Sequence, residues 1–103
     1  MLLKDKIAIV TGAGQGIGAA IAQAYAREGA KVAVVDMNAN AADDIAAGIR
    51  RNGGEAKGFA CNVAERASVD KVAADVTAQW GRIDILVNNA GITRTAMLHK
   101  MTQ

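Results

Sequence analysis

One stretch carries the clearest chemical signal in the chain: Thr11-Gly12-Ala13-Gly14-Gln15-Gly16-Ile17-Gly18. A loop of this kind brings unpaired N–H groups to the positive end of a helix, and its missing Cβ atoms let a pyrophosphate approach the backbone. Glycines can also make a plain strand-to-helix turn, so context decides. Here the loop follows a short apolar run, opens a helical pattern, and precedes a second apolar run that ends in Asp36. Asp36 stands 18 residues after Gly18, near the roughly 20-residue spacing of an acid that binds an adenosine ribose. A carboxylate there accepts hydrogen bonds from both ribose hydroxyls and repels a 2′-phosphate, which favours NAD over NADP. Gln15 adds no positive charge to reverse that preference. The competing role for Asp36 is to cap its own loop. No Gly-Lys-Ser/Thr closes the glycine run, so a P-loop is excluded.

Other chemistry-bearing residues stand alone. Tyr25 lies on an apolar helical stripe and reads as a core residue with its hydroxyl near the surface. Ser68 opens a helix and reads as a cap. His99 has no acid–base partner near it, and Cys61 reads as a small buried hydrophobe. No spacing suggests a metal-ligand cluster, so no metal is expected.

The elements that must position the loop follow from two alternating patterns. Ile7-Ala8-Ile9-Val10, Val32-Ala33-Val34-Val35 and Ile83 with Ile85-Leu86-Val87 are short and continuously apolar. Such runs suit strands covered on both faces, as in a parallel sheet. Between them the period becomes helical. Ile17, Ala20, Ile21, Ala24 and Tyr25 form one stripe, ending at Gly29. Ala42, Ile45, Ala46 and Ile49 form a second, with Asn40 as the expected N-cap, Asp43-Asp44 near its positive start, and Gly53-Gly54 as its stop. Val69, Val72, Ala73, Val76 and Trp80 form a third, closed by Gly81. Lys57-Gly58-Phe59-Ala60-Cys61 is a weaker strand with the charge and poor pairing of a sheet edge. The order β-α-β-α-β-α-β makes residues 1–103 a single α/β domain.

Composition agrees. The chain has 103 residues, 51% of them hydrophobic and 21% charged, enough for one core. Twelve basic against ten acidic residues leave +2, without a basic cluster, so neither nucleic acid nor an anionic membrane is an expected partner. The apolar run near the N-terminus is too short for a signal peptide or a membrane span. One cysteine cannot form an internal disulfide, which fits a reducing cytoplasm.

The glycine spacing departs from G-x-G-x-x-G, because Ile17 occupies the sixth position counted from Gly12. What stands is T-G-x-x-x-G-x-G, followed after the fourth strand by Asn88-Asn89-Ala90-Gly91. With these two motifs the chain resembles the short-chain dehydrogenase/reductase family, especially its 3-oxoacyl-acyl-carrier-protein reductase-like members, from Leu3 to Gln103. The resemblance implies a Rossmann-type three-layer sandwich, its parallel sheet of four strands in the order 3-2-1-4, shorter than the full family fold. It implies NAD as cofactor, with Gly12, Gly16 and Gly18 shaping the loop and Gln15 and Ile17 in contact. Asp36 becomes the NAD-selecting acid, with Met37 beside the adenine. Asn62-Val63 matches a family Asp-Val pair, and the Asn62 amide oxygen is expected to meet the adenine amine. Asn89, Ala90 and Gly91 line the nicotinamide-side ribose, while Asn88 and Thr11 tie the motif to the sheet.

The family's carbonyl chemistry needs a serine and a tyrosine followed four residues later by lysine. Four residues after Tyr25 stands Gly29. No catalytic residue is therefore expected in this chain. It should bind NAD without turnover, or be one part of a longer oxidoreductase; a protein that kept the fold and lost the ligand has less need of the glycines. An apolar fourth strand left on the edge points to a homodimer through that edge or the helices beside it.

Overall fold

The computed structural model describes residues 2–89. Four parallel strands form one sheet in the order β3-β2-β1-β4, as expected: β1 (Ile7–Thr11), β2 (Lys31–Asp36), β3 (Glu55–Ala60) and β4 (Ile85–Val87). Three helices connect them: α1 (Gly16–Arg27), α2 (Ala39–Arg51) and α3 (Arg66–Trp80).

The continuous apolarity of β1 and β2 has the predicted cause, since both faces are covered. Val10, Val32 and Val34 pack with Ala22, Ala42, Ala46 and Ile49 under α1 and α2. Ile7, Ile9, Ala33 and Val35 pack with Val72 and Val76 under α3. Neighbouring residues of each strand thus serve opposite cores, which gives three layers. Tyr25 packs against the first core, as its place on the stripe implies.

Several local expectations are corrected. The N-cap of α2 is Asn38, whose Oδ1 accepts the Ala41 N–H at 3.1 Å; Asn40 lies inside the helix. The Asn38 N–H is itself held by Asp36 Oδ1 at 2.9 Å, so the turn out of β2 is tight and the helix begins earlier. Asp43 and Asp44 consequently fall outside the first turn. Ser68 does not cap α3 either. The cap position is Glu65, without a side-chain bond, and the Ser68 hydroxyl accepts the Asn62 N–H at 3.1 Å. The third strand starts at Glu55, two residues before the weak run, because Glu55 and Ala56 pair with Lys31 and Val32 of β2; Arg50 Nη1 also donates to the Ala56 carbonyl at 2.8 Å. Cys61 follows the strand and is buried in the second core.

The fourth strand is anchored at its start by a reciprocal clamp. Asp84 donates its N–H to the Ile7 carbonyl at 2.9 Å, and its Oδ2 accepts the Ile7 N–H at 2.9 Å. Arg82 Nε lies 2.9 and 3.0 Å from the two Asp84 oxygens, and its Nη2 donates to the Asp5 carbonyl. Asp5 is the one non-glycine residue with positive φ among those described. The Ile7 N–H bond first, then the Arg82 guanidinium and the Lys6 charge, hold the Asp84 carboxyl below the ordinary carboxylate range, against an upward push from desolvation.

Candidate dinucleotide-binding site

The C-terminal ends of the parallel strands bring the glycine loop, Asp36 and Asn89 to one side of the sheet. Gly12, Gly16 and Gly18 are required for two different reasons. Gly12 and Gly16 have φ of +62° and +61°, a region that side chains resist. A Cβ on Gly16 would meet nothing within 4 Å, so its outer face is open. Gly18 is needed for space: a Cβ there would strike the Gly12 carbonyl oxygen and come within 2.6 Å of Asn89 Nδ2. The same Asn89 amide donates to the Gly12 carbonyl at 3.2 Å. Thr11 Oγ1 stands 3.3 Å from the Val87 carbonyl and 3.2 Å from Asn88 Oδ1. The Asn88-Asn89 pair thereby ties the end of β4 to the loop after β1.

Gln15 occupies the N-cap of α1 with an extended backbone and no side-chain cap. The first N–H groups of a helix have no partner inside it, and here they emerge beside the open face of Gly16. Ile17 projects outward, 74% exposed. An anion placed there meets backbone donors and the positive end of the helix dipole.

A cavity of about 320 Å³ lies beside the loop, lined by Gly12, Gln15, Val35, Asp36, Met37, Cys61 and Val63. Five of these are residues singled out by sequence. Met37 is 68% exposed and Val63 40%, so two apolar side chains flank an opening with an acid between the loop and the strand. Asp36 Oδ2 accepts the Gly14 N–H at 2.9 Å while Oδ1 accepts that of Asn38. The loop-capping role and the ligand role are therefore compatible, because a carboxylate has about four acceptor positions.

Asn62 is placed differently from Val63. It does not line this cavity, and its Oδ1 accepts the Ala64 N–H at 3.0 Å. Ala90, Gly91 and His99 lie outside the described residues. The sequence pattern does not mark Gly14 and Cys61 as site residues. Gly14 sits inside the motif, but nothing in the spacing marks a contact to Asp36 22 residues away. Among the described residues, no three His, Cys, Asp or Glu side chains come together as a metal site. No described helix is long and apolar enough to cross a membrane.

The sequence matches the family model described as short chain dehydrogenase over residues 6–103. The chain belongs to the short-chain dehydrogenases. It is 52% identical over 100 residues to a D-threitol dehydrogenase of Mycolicibacterium smegmatis, covering 97% of this chain and 38% of that one. It is 46% identical over 101 residues to the 3-oxoacyl-[acyl-carrier-protein] reductase FabG of Escherichia coli, covering 98% and 40%. Among solved short-chain dehydrogenases, a hydroxysteroid dehydrogenase from Escherichia coli superimposes with a TM-score of 0.84 at 43% identity, over 86% of this chain and 36% of that one. A 7α-hydroxysteroid dehydrogenase complexed with NADH and 7-oxo glycochenodeoxycholic acid gives 0.82 at 41% identity, over 84% and 34%. The chain thus spans about two-fifths of the length of the dehydrogenases it matches.

Proposed function

We propose that this short-chain dehydrogenase chain binds NAD and does not by itself reduce a carbonyl. The observation that carries the proposal is the Asp36 carboxylate, held by backbone N–H groups at the mouth of a cavity next to the glycine loop. In this reading the first-turn N–H groups from Gly16 to Gly18 face the pyrophosphate, with Gly12 shaping the loop and Gln15 and Ile17 in contact. Asp36 accepts the adenosine ribose hydroxyls. Met37 and Val63 flank the adenine, and the Asn62 amide oxygen meets the adenine amine. Asn89, with Ala90 and Gly91, borders the nicotinamide-side ribose. Bound NAD supplies a hydride acceptor. Support for the cofactor comes from the NADH complex of the related hydroxysteroid dehydrogenase.

Calorimetric titration of the chain with NAD and NADP tests the reading. NAD should bind at least about tenfold more tightly than NADP, since the acid forms charge-assisted bonds to the hydroxyls and repels a 2′-phosphate. Asp36→Ala should abolish that preference. No heat and no thermal shift at NAD concentrations on the order of millimolar would sink the proposal. Turnover of a ketone or secondary alcohol by the chain alone would contradict the second half of it.

A second reading makes the chain one part of a longer oxidoreductase, and the share of its relatives' length that it spans favours this. Its substrate is then set by residues other than those described. The intact mass of the native protein separates the two readings. A buried Cys61 without a disulfide suits a reducing cytoplasm for either.

For the chain alone, a homodimer across β4 is proposed. Among the described residues this strand pairs with β1 on one side only, and Leu86 is 60% exposed, lining one surface cavity with Ile83 and Val69. Sedimentation at micromolar concentration should give a dimer that Leu86→Asp converts to monomer. A monomeric wild-type mass refutes it.

A further inference from the structure

We infer that Gly14 is a positioning residue for nucleotide selectivity: it keeps the Asp36 carboxylate in the orientation that meets a ribose diol. The inference rests on the NAD reading of the site and deepens it. Gly14 differs from the loop glycines at 12 and 16, whose positive φ explains them, because its own φ is not positive. It differs from Gly18 in what it abuts. A Cβ on Gly14 would lie 2.8 Å from Asp36 Oδ2, 2.9 Å from Asp36 Cγ and 2.7 Å from the Ala41 Cβ of α2. Contacts this short force something to move, and two of the three nearest atoms belong to the acid.

The same glycine also holds what it makes room for. Its N–H donates to Asp36 Oδ2 at 2.9 Å, while Asn38, at the cap of α2, donates to Oδ1 at 2.9 Å. Each oxygen is fixed by one backbone donor, and each keeps acceptor capacity for one hydroxyl. A carboxylate oriented in advance loses less entropy on binding than one that must be ordered by the ligand. A methyl group at position 14 displaces the carboxylate and weakens both backbone bonds together. The diol then meets a misaligned acceptor, while a 2′-phosphate meets a charge that has moved away.

The test must separate this from general damage to the loop. Ala41→Gly removes the nearest of these contacts, so Gly14→Ala placed in that background leaves the Asp36 carboxyl as the next group the new methyl meets. NAD and NADP affinities are measured for wild type, Ala41→Gly, Gly14→Ala/Ala41→Gly, Asp36→Ala, and the triple variant, with far-UV circular dichroism and melting temperature on each. Gly14→Ala/Ala41→Gly should lower the NAD-over-NADP preference about tenfold relative to Ala41→Gly, the scale of misaligning hydrogen bonds to a charged group. In the Asp36→Ala background the same change should leave the preference unaltered, because a residue that acts through Asp36 has nothing left to position. An equal loss for NAD and NADP, which distortion of the phosphate loop would produce, overturns the inference. So does a selectivity loss that adds to that of Asp36→Ala. Wild-type binding of NAD with an unchanged preference in the variant overturns the inference alone, whereas no NAD binding by the wild type overturns the site reading with it.

Discussion

Gly18→Ala and Gly16→Ala make the same chemical change two residues apart in one loop, and the structure assigns them different costs. At Gly18 a methyl would collide with the Gly12 carbonyl and approach Asn89 Nδ2 within 2.6 Å. Forcing an extra methyl into a packed contact costs about 1–3 kcal/mol. Separation of the loop also breaks the Asn89–Gly12 hydrogen bond, worth about 1 kcal/mol. Against this, alanine inside a helix gains about 1 kcal/mol over glycine. The net destabilisation is about 1–3 kcal/mol, a large share of a typical stability of roughly 5–15 kcal/mol. At Gly16 a methyl meets nothing, so the cost is that of a side chain at φ +61°, about 1 kcal/mol. Urea unfolding of both variants, followed by the fluorescence of Trp80, supplies the stabilities. The position-specific signature is the partner: Asn89→Ala should cost the wild type about 1 kcal/mol but cost Gly18→Ala almost nothing, while remaining fully additive with Gly16→Ala. Additivity of Asn89→Ala with Gly18→Ala would refute the argument that these two side chains share one contact.

Two further outcomes test the start of α2 and the clamp at the start of β4. Because Asn38, not Asn40, caps α2, Asn38→Ala should cost about 1 kcal/mol and Asn40→Ala should cost little or slightly stabilise; equal losses by thermal denaturation would contradict the assignment. For Asp84 the folded-state pKa lies below its unfolded value. Its ionised form therefore stabilises the fold above the ordinary carboxylate range, and that contribution disappears as pH falls through the depressed value. Asp84→Asn should be less stable than wild type at neutral pH, with the gap closing in acid; a gap constant from neutral to acid pH, read by urea midpoints, would contradict the sign.

Much of the fold was legible because backbone demands leave local marks. Doubly covered strands must be continuously apolar, and helix faces must repeat near 3.6 residues, so β1, β2 and the three stripes could be read without coordinates. Element starts were harder. Asn40 and Ser68 are the right residue types for caps, but the actual starts depend on Asp36 holding Asn38 and on Ser68 accepting from Asn62. The run at β3 reads as weak because it carries Lys57 and Gly58. In the fold, Gly58 is the point where α2 presses on the sheet: a Cβ there would strike Asp43 Oδ1 and lie 3.0 Å from the Asp43 nitrogen.

By itself the sequence determined the kind of fold and the kind of site. Glycines at 12, 16 and 18, an acid at the end of the second strand, and Asn88-Asn89 after the fourth are chain-local facts, and they suffice because phosphate approach and ribose binding require particular residue types near strand ends. Only the tertiary structure decided how those residues act on one another. Gly14 and Asp36 are joined by a hydrogen bond across 22 residues, and Asn89 reaches Gly12 across 77. Such contacts depend on which strands lie side by side and in what register, and periodicity along one chain carries no information about distance between two segments of it.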